Sequence, residues 1–270
     1  MLARLLAPPL CWGCGGPARR DEPLCLHCRR TLRHLSQEPV DLAGIATWAP
    51  VAYEGAAREL VRGLKFRGAM ALAGPMAALI VANASEELLP RAAEVATADR
   101  ATADRAGGDP AASDRARGDQ ATGDRARGDR AASDRTGGDR AAGDRPAAGS
   151  RLGWRPPVLV PVPLHPARRR RRGFNQAAVL AEALARRTGL TVTESLTRSG
   201  PAGTQVGRPR PERLAAPPGR IRAEDHIPPR AILVDDVATT GATLAACAAA
   251  LRARGALEVW AVTFARTLGR

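Results

Sequence analysis

Four of the five cysteines fall within 18 residues, as Cys11-Trp-Gly-Cys14 and Cys25-Leu-His-Cys28. Each Cys-x-x-Cys turn presents two thiolates at one point, and two such turns supply the four sulfurs of a tetrahedral zinc site. Gly15 follows the first turn, where a residue without a side chain lets backbone N–H groups approach the sulfurs. Arg19, Arg20, Arg29 and Arg30 offset the charge of four thiolates. Four protein ligands leave no open position for a substrate, so Cys11, Cys14, Cys25 and Cys28 are expected to hold a structural Zn²⁺. A pair of disulfides is the competing reading. The start MLARLLAPPL lacks the small-residue cleavage pattern of an export signal, which favours reduced thiols in a cytoplasmic protein. His27 sits inside the second turn, where sharing a metal with both flanking cysteines is awkward, and reads as solvated. Cys247, alone in an Ala-rich stretch, reads as a small buried hydrophobe.

The second chemistry-bearing segment is Ala231-Ile-Leu-Val-Asp235-Asp236-Val-Ala-Thr239-Thr240-Gly241-Ala242-Thr243-Leu. Ile232, Leu233 and Val234 are a continuous apolar run suited to a strand buried on both faces of a parallel sheet. Leu244, Cys247, Ala248 and Leu251 carry a helical stripe. The loop between them therefore lies at a strand's carboxyl end and a helix's amino end, where unpaired N–H groups and the helix dipole favour an anion. Thr239, Thr240 and Thr243 add hydroxyls, Gly241 permits close backbone approach, and Asp235 and Asp236 supply acceptors. A phosphate beside free hydroxyls, as in a 5-phosphoribose, satisfies both halves, with a carboxylate also placed to help hold Mg²⁺. The loop lacks the Gly-Lys-Thr ending of a Walker A motif, and no G-x-G-x-x-G follows a strand, so nucleotide hydrolysis and dinucleotide binding lose support. The segment resembles the phosphoribosyl-pyrophosphate (PRPP) loop of the type I phosphoribosyltransferases. That resemblance implies Asp235 and Asp236 on the ribose hydroxyls, and Thr239, Thr240, Gly241, Ala242 and Thr243 around the 5-phosphate.

Val158-Leu-Val-Pro-Val-Pro163 is another apolar strand, followed by a basic loop, Leu164-His165-Pro-Ala-Arg168-Arg-Arg-Arg-Arg172-Gly173-Phe174-Asn175-Gln176, and a helix marked by Phe174, Ala178, Ala181 and Leu184. Arg168, Arg169, Arg170, Arg171 and Arg172 are placed to meet a pyrophosphate or nucleic acid, because guanidinium groups bind phosphate oxygens two at a time; a solvated charge run is the plain alternative. Lys65, the only lysine, follows the helical run Ala56, Leu60, Val61, Leu64 and reads either as a compact ammonium for a phosphate or as a solvated helix end. The run VPVPLHPARRRRRGFNQAAVLAEALA, the stretch LVRGLKFRGAMALAGPMAALI at 60 to 80, the PRPP-type loop and the cysteine turns resemble, in order, the ComF competence proteins. The resemblance implies a zinc ribbon joined to a phosphoribosyltransferase-like domain, a part in handling incoming single-stranded DNA during natural transformation, and peripheral association with the uptake machinery. Residues 198 to 228 are rich in Pro, Gly and Arg and read as a mobile lid. In type I phosphoribosyltransferases a loop at this place in the order closes over PRPP. Thr204-Gln205 fits the ComF pattern there, while the following Arg-Pro-Arg-Pro-Glu-Arg-Leu-Ala-Ala departs from its usual Arg-Arg-Asn ending.

Composition bounds these readings. From Glu94 to Asp144 an acidic residue falls at every fifth position, and 91–150 is nearly all Ala, Gly, Asp, Arg, Ser and Thr, a period matching neither strand nor helix. We expect a disordered surface linker that can be deleted without losing the fold. Its ten Asp and ten Arg between Thr97 and Ala148 cancel, so the net charge of +14 sits on the remaining segments and favours anionic ligands. Apolar runs are too short to span a bilayer, so no membrane insertion is expected. The sequence thus predicts a zinc ribbon over 1–40 and an α/β domain over 41–90 and 151–270. That domain should be a mainly parallel sheet with flanking helices, its strands near 47–53, 158–162, 190–194, 231–235 and 257–264 and its ligands at the carboxyl ends of the strands at 158 and 231. Two functions are carried forward: a Mg²⁺-dependent phosphoribosyltransferase acting on PRPP, and a non-catalytic single-stranded-DNA-binding protein whose phosphoribosyl site is a sensor or relic. Only eight aromatic residues are available for stacking bases, so DNA contacts would go mainly to phosphates.

Overall fold

The computed structural model describes residues 9–19, 22–91, 156–199 and 221–269; the Asp-Arg repeat and the Thr204-Gln205 pair lie outside these residues. Two nine-residue strands, β7 (Arg230–Ala238) and β8 (Glu258–Arg266), run parallel at the centre of the main sheet. Strand β4 (Val158–Pro161) flanks β7 in parallel, and β2 (Ala46–Trp48) and β3 (Val51–Ala52) flank β8 in parallel. Only β1 (Val40–Asp41), on β2, is antiparallel in this sheet. The expected α/β class with a mostly parallel sheet and flanking helices is therefore present.

The pleat explains the layers. Along β7, Ile232 and Val234 face one core with Val262 and Phe264 of β8, while Ala231 and Leu233 face a second core with Val259 and Ala261. Ala231, Ile232, Leu233 and Val234 have no exposed surface, as a strand covered on both faces requires, and burying a large apolar side chain contributes about 1.5–3 kcal/mol. Helices α2 (Gly55–Phe66), α3 (Ala73–Asn83) and α5 (Gln176–Thr188) supply the first core. Helix α6 (Ala242–Arg252) and a small antiparallel pair, β5 (Leu196–Arg198) with β6 (Ile221–Ala223), cover the second.

Three expectations need correction. The strand at 190–194 reduces to one parallel bridge, Val192 to Leu159. The chain leaves the sheet there because the Ser195 carbonyl accepts the Glu224 amide at 2.9 Å and draws the next residues into β5. For the same reason the ends of the segment read as a lid, Arg198 and Ile221–Ala223, are paired strands; 200–220 lies outside the described residues. The arginine run is not a loop either. Arg168–Arg172 belong to a seven-residue helix, α4 (Pro166–Arg172), with Pro166 in the first turn, the His165 ring accepting the Ala167 amide at 3.2 Å, and Gly173 (φ 83°) ending it. Five consecutive helical side chains point around the whole circumference, so they cannot all reach one ligand.

The cysteine turns do not form a separate core. Cys11, Leu24, Cys28 and Leu32 join the same apolar cluster as α2 and α3. Trp12 lies against Gly63 of α2, where a Cβ would come within 2.7 Å of the indole ring, and the Arg67 guanidinium covers that ring at 5.7 Å. Among the described residues no helix is long and apolar enough to cross a membrane.

Candidate functional site

The sulfurs of Cys11, Cys14, Cys25 and Cys28 lie within 4.8 Å of one another, none of them in a disulfide. The 3.8 Å between the Cys14 and Cys25 sulfurs equals the edge of a tetrahedron with bonds of about 2.3 Å, the zinc–thiolate length. The amides of Gly13 and Cys25 donate to Cys11 Sγ at 3.3 and 3.2 Å, and the amide of Cys28, in the short helix α1 (Leu26–Arg30), donates to Cys25 Sγ at 3.5 Å. Burial raises the Cys11 pKa, but amide donors from Cys25, Cys14 and Gly13 outweigh it and bring the thiol down to about 6. Burial, and then the surrounding thiols, push Cys28 up. Four close sulfurs with donors aimed at them are positioned to bind a metal ion and fit zinc. His27 is exposed, outside the cluster, and Cys247 is buried, as the sequence led us to expect.

The second site forms where β7 ends. Asp236 continues the Ile232–Val234 side of the strand, toward α2. There its Oδ1 lies 3.0 Å from Lys65 Nζ, with side-chain exposures of 2% and 21%. The last turn of α2 thus delivers the only lysine to a buried carboxylate, a pairing that helical spacing alone left open. Asp235 is half-buried and turns back on its own chain, its Oδ1 accepting the Asp236 amide at 2.8 Å. Burial, and then the Asp236 carboxylate, hold Asp235 well above the usual carboxylate range, with Lys65 pulling the other way. On the opposite side of the strand, burial and then Asp235 push the Cys247 thiol of α6 up to about 12.

Arg172 completes this cluster. It is held by Gln176, whose Oε1 accepts from a guanidinium nitrogen at 3.0 Å, and by the Phe66 ring 5.0 Å beneath it. Burial lowers its pKa and the charge of Asp236 opposes that drop. Two polar atoms here are buried without a hydrogen-bond partner among the described residues, Asp236 Oδ2 and Arg172 Nε. A buried acceptor and a buried donor left open cost about 1–3 kcal/mol each, and a ligand carrying both a hydroxyl and an anionic oxygen relieves both.

Beyond β7 the chain passes through Thr239 and Thr240, both exposed, to Gly241. Gly241 adopts φ 78°, and a Cβ there would lie 2.6 Å from the carbonyl oxygen of Leu42, so close packing and backbone conformation both demand glycine. Thr240 Oγ1 accepts the Ala242 amide at 3.4 Å. Ala242 and Thr243 start α6, whose first turn carries no acidic residue, so its positive end stays open to an anion.

The structure therefore pairs Lys65 with Asp236 next to Asp235, with Arg172 within electrostatic range of both carboxylates and residues 239–243 continuing directly from β7. The other arginines of α4 do not converge there. Arg168, Arg169, Arg170 and Arg171 are exposed, and Arg169 approaches Glu194 at 3.8 Å. Sequence reasoning missed Gln176, Phe66 and Leu42. A glutamine buried at the start of an apolar helix was a visible signal, but the contacts of Phe66 and Leu42 depend on distant segments and left none. No family model matches the sequence, and no curated protein matches it.

Proposed function

We propose that the protein binds PRPP with Mg²⁺ at the carboxyl end of β7, as a ComF-like phosphoribosyltransferase. The observation that carries this reading is the buried Asp236 Oδ2, without a partner among the described residues and within electrostatic range of Arg172, whose Nε is likewise buried and unpartnered there. Asp236 and Asp235 accept the ribose hydroxyls. Thr239, Thr240 and Thr243 give hydroxyl donors, and Gly241 and Ala242 give open backbone, to the 5-phosphate. Lys65 and Arg172 meet the diphosphate from the opposite side, where positive charge stabilises it as it departs. A carboxylate of Asp235 or Asp236 would help hold Mg²⁺, which would supply charge neutralisation of that leaving group. The cysteine turns, with Zn²⁺, brace α2 and so the position of Lys65.

Calorimetry with PRPP and Mg²⁺ tests the reading. Wild type should bind, and Asp236→Asn should bind about ten- to a hundredfold more weakly, the loss of a charge-assisted hydrogen bond. Equal affinity in the two proteins rejects the assignment. Turnover is tested separately, by pyrophosphate release from PRPP with candidate bases, nucleosides and DNA ends.

The exposure of Arg168–Arg171 favours a second reading, in which α4 meets the phosphates of single-stranded DNA. Four such contacts predict a slope of about −3 in log affinity against log salt. Anisotropy titrations showing no salt dependence exclude it.

A further inference from the structure

Helix α4 separates two positively charged places. Arg172 packs on Phe66 and Gln176 within electrostatic range of the carboxylate pair, whereas Arg169 and Arg170 line a different cavity, of about 500 Å³, bounded by the end of β4, by α4 and by β5. None of Lys65, Arg172, Asp235 and Asp236 lines it. We propose that this cavity is a second ligand site, for a small molecule carrying a carboxylate or phosphate on an apolar body with N–H donors. The inference does not depend on the phosphoribosyl reading.

The chemistry of the lining carries the argument. Arg198, on β5, lines the cavity as a half-buried residue whose buried Nε has no hydrogen-bond partner among the described residues, and no described carboxylate makes an ion pair with it. Burial, and then the neighbouring Arg168, pull its pKa down, with Cys247 and Asp235 acting in the opposite direction. Arg170 makes no ion pair among the described residues, and Arg169 has only the 3.8 Å approach to Glu194. Three guanidiniums thus face two carboxylates, Glu194 and Glu224. An anion satisfies Arg198 and Arg170, and Glu194 and Glu224 accept N–H donors from the same molecule. Pro161, Pro163, Leu164 and Leu196 supply apolar walls. A volume of this size suits a small organic molecule, with convergent polar groups fixing its orientation.

Calorimetry with 4-aminobenzoate and 4-aminophenylphosphonate tests the proposal and separates a carboxylate from a phosphoryl group. At least one probe should bind wild type. Arg198→Gln should weaken it about ten- to a hundredfold, the worth of a charge-assisted hydrogen bond. Arg170→Gln, at an exposed position, should weaken it at least about threefold, and it decides the matter where Arg198→Gln fails to fold. Asp236→Asn, in the neighbouring cluster, should leave probe affinity within roughly twofold. The proposal is overturned by no probe binding, by unchanged affinity in Arg170→Gln and a folded Arg198→Gln, or by loss in Asp236→Asn alone. Probe binding that survives while PRPP fails to bind rejects the phosphoribosyl reading and leaves this one standing.

Discussion

Lys65→Met removes the cation beside a carboxylate that has almost no access to water. The two groups are 3.0 Å apart, with side-chain exposures of 21% for Lys65 and 2% for Asp236. Removing one partner of a fully buried pair costs about 3–5 kcal/mol, because the other charge stays desolvated. Partial exposure of Lys65 lets water reach the vacated side, so about 2–3 kcal/mol is expected here. For a folded region of this size that lowers the melting temperature by about 5–10 °C. Asp236→Asn removes the charge that needs compensation, so the double variant Lys65→Met/Asp236→Asn should recover most of the loss. Urea unfolding of the four proteins gives the coupling energy, expected near about 2 kcal/mol. A Lys65→Met protein as stable as wild type, or losses that simply add, would show that Asp236 is neutral or hydrated and refute the electrostatic account of the site.

Three further outcomes are expected. Gly241→Ala should destabilise by about 1–3 kcal/mol and weaken phosphate-ligand binding, because its Cβ meets the Leu42 carbonyl at 2.6 Å and φ is 78°; a melting curve matching wild type contradicts the packing argument. Metal analysis should find one zinc per chain. Its removal by a chelator should lower the melting temperature by more than about 10 °C, since Cys11 and Cys28 share a core with α2, and a metal-free protein of unchanged stability opposes a structural role. Asp235→Asn tests the raised carboxyl. In wild type that group is stabilising while protonated, fully so below its unfolded value of about 3.9, and loses this as pH rises through the higher folded value. The variant's melting temperature should therefore gain on wild type as pH rises from about 5 to 9, and a gap that shrinks over that range contradicts the assignment.

Much of this was legible from local pattern, because the features involved are local. Two Cys-x-x-Cys turns gather sulfur by their own geometry and need the rest of the chain only to bring the turns together. The apolar run 231–234, flanked by Asp-Asp and a Thr-Gly turn, specifies a buried strand, a loop and a helix start without reference to distant residues. The α/β class follows from repeating that unit at 158 and 231.

Contacts between segments were settled only by folding. Lys65 had equal claims as a phosphate ligand and as a solvated helix end until α2 packed against β7 and placed its ammonium on Asp236, more than 170 residues away in the chain. The arginine run read as one cationic loop; as a helix it divides, Arg172 onto Phe66 and Gln176 and Arg169 and Arg170 toward a cavity. Arg198 sat in a segment without periodicity and gained its place by pairing with Ile221. Spacing along a chain fixes which neighbours share a face, whereas burial and charge compensation depend on which elements the sheet brings side by side, and that order is set by the packing of the whole domain.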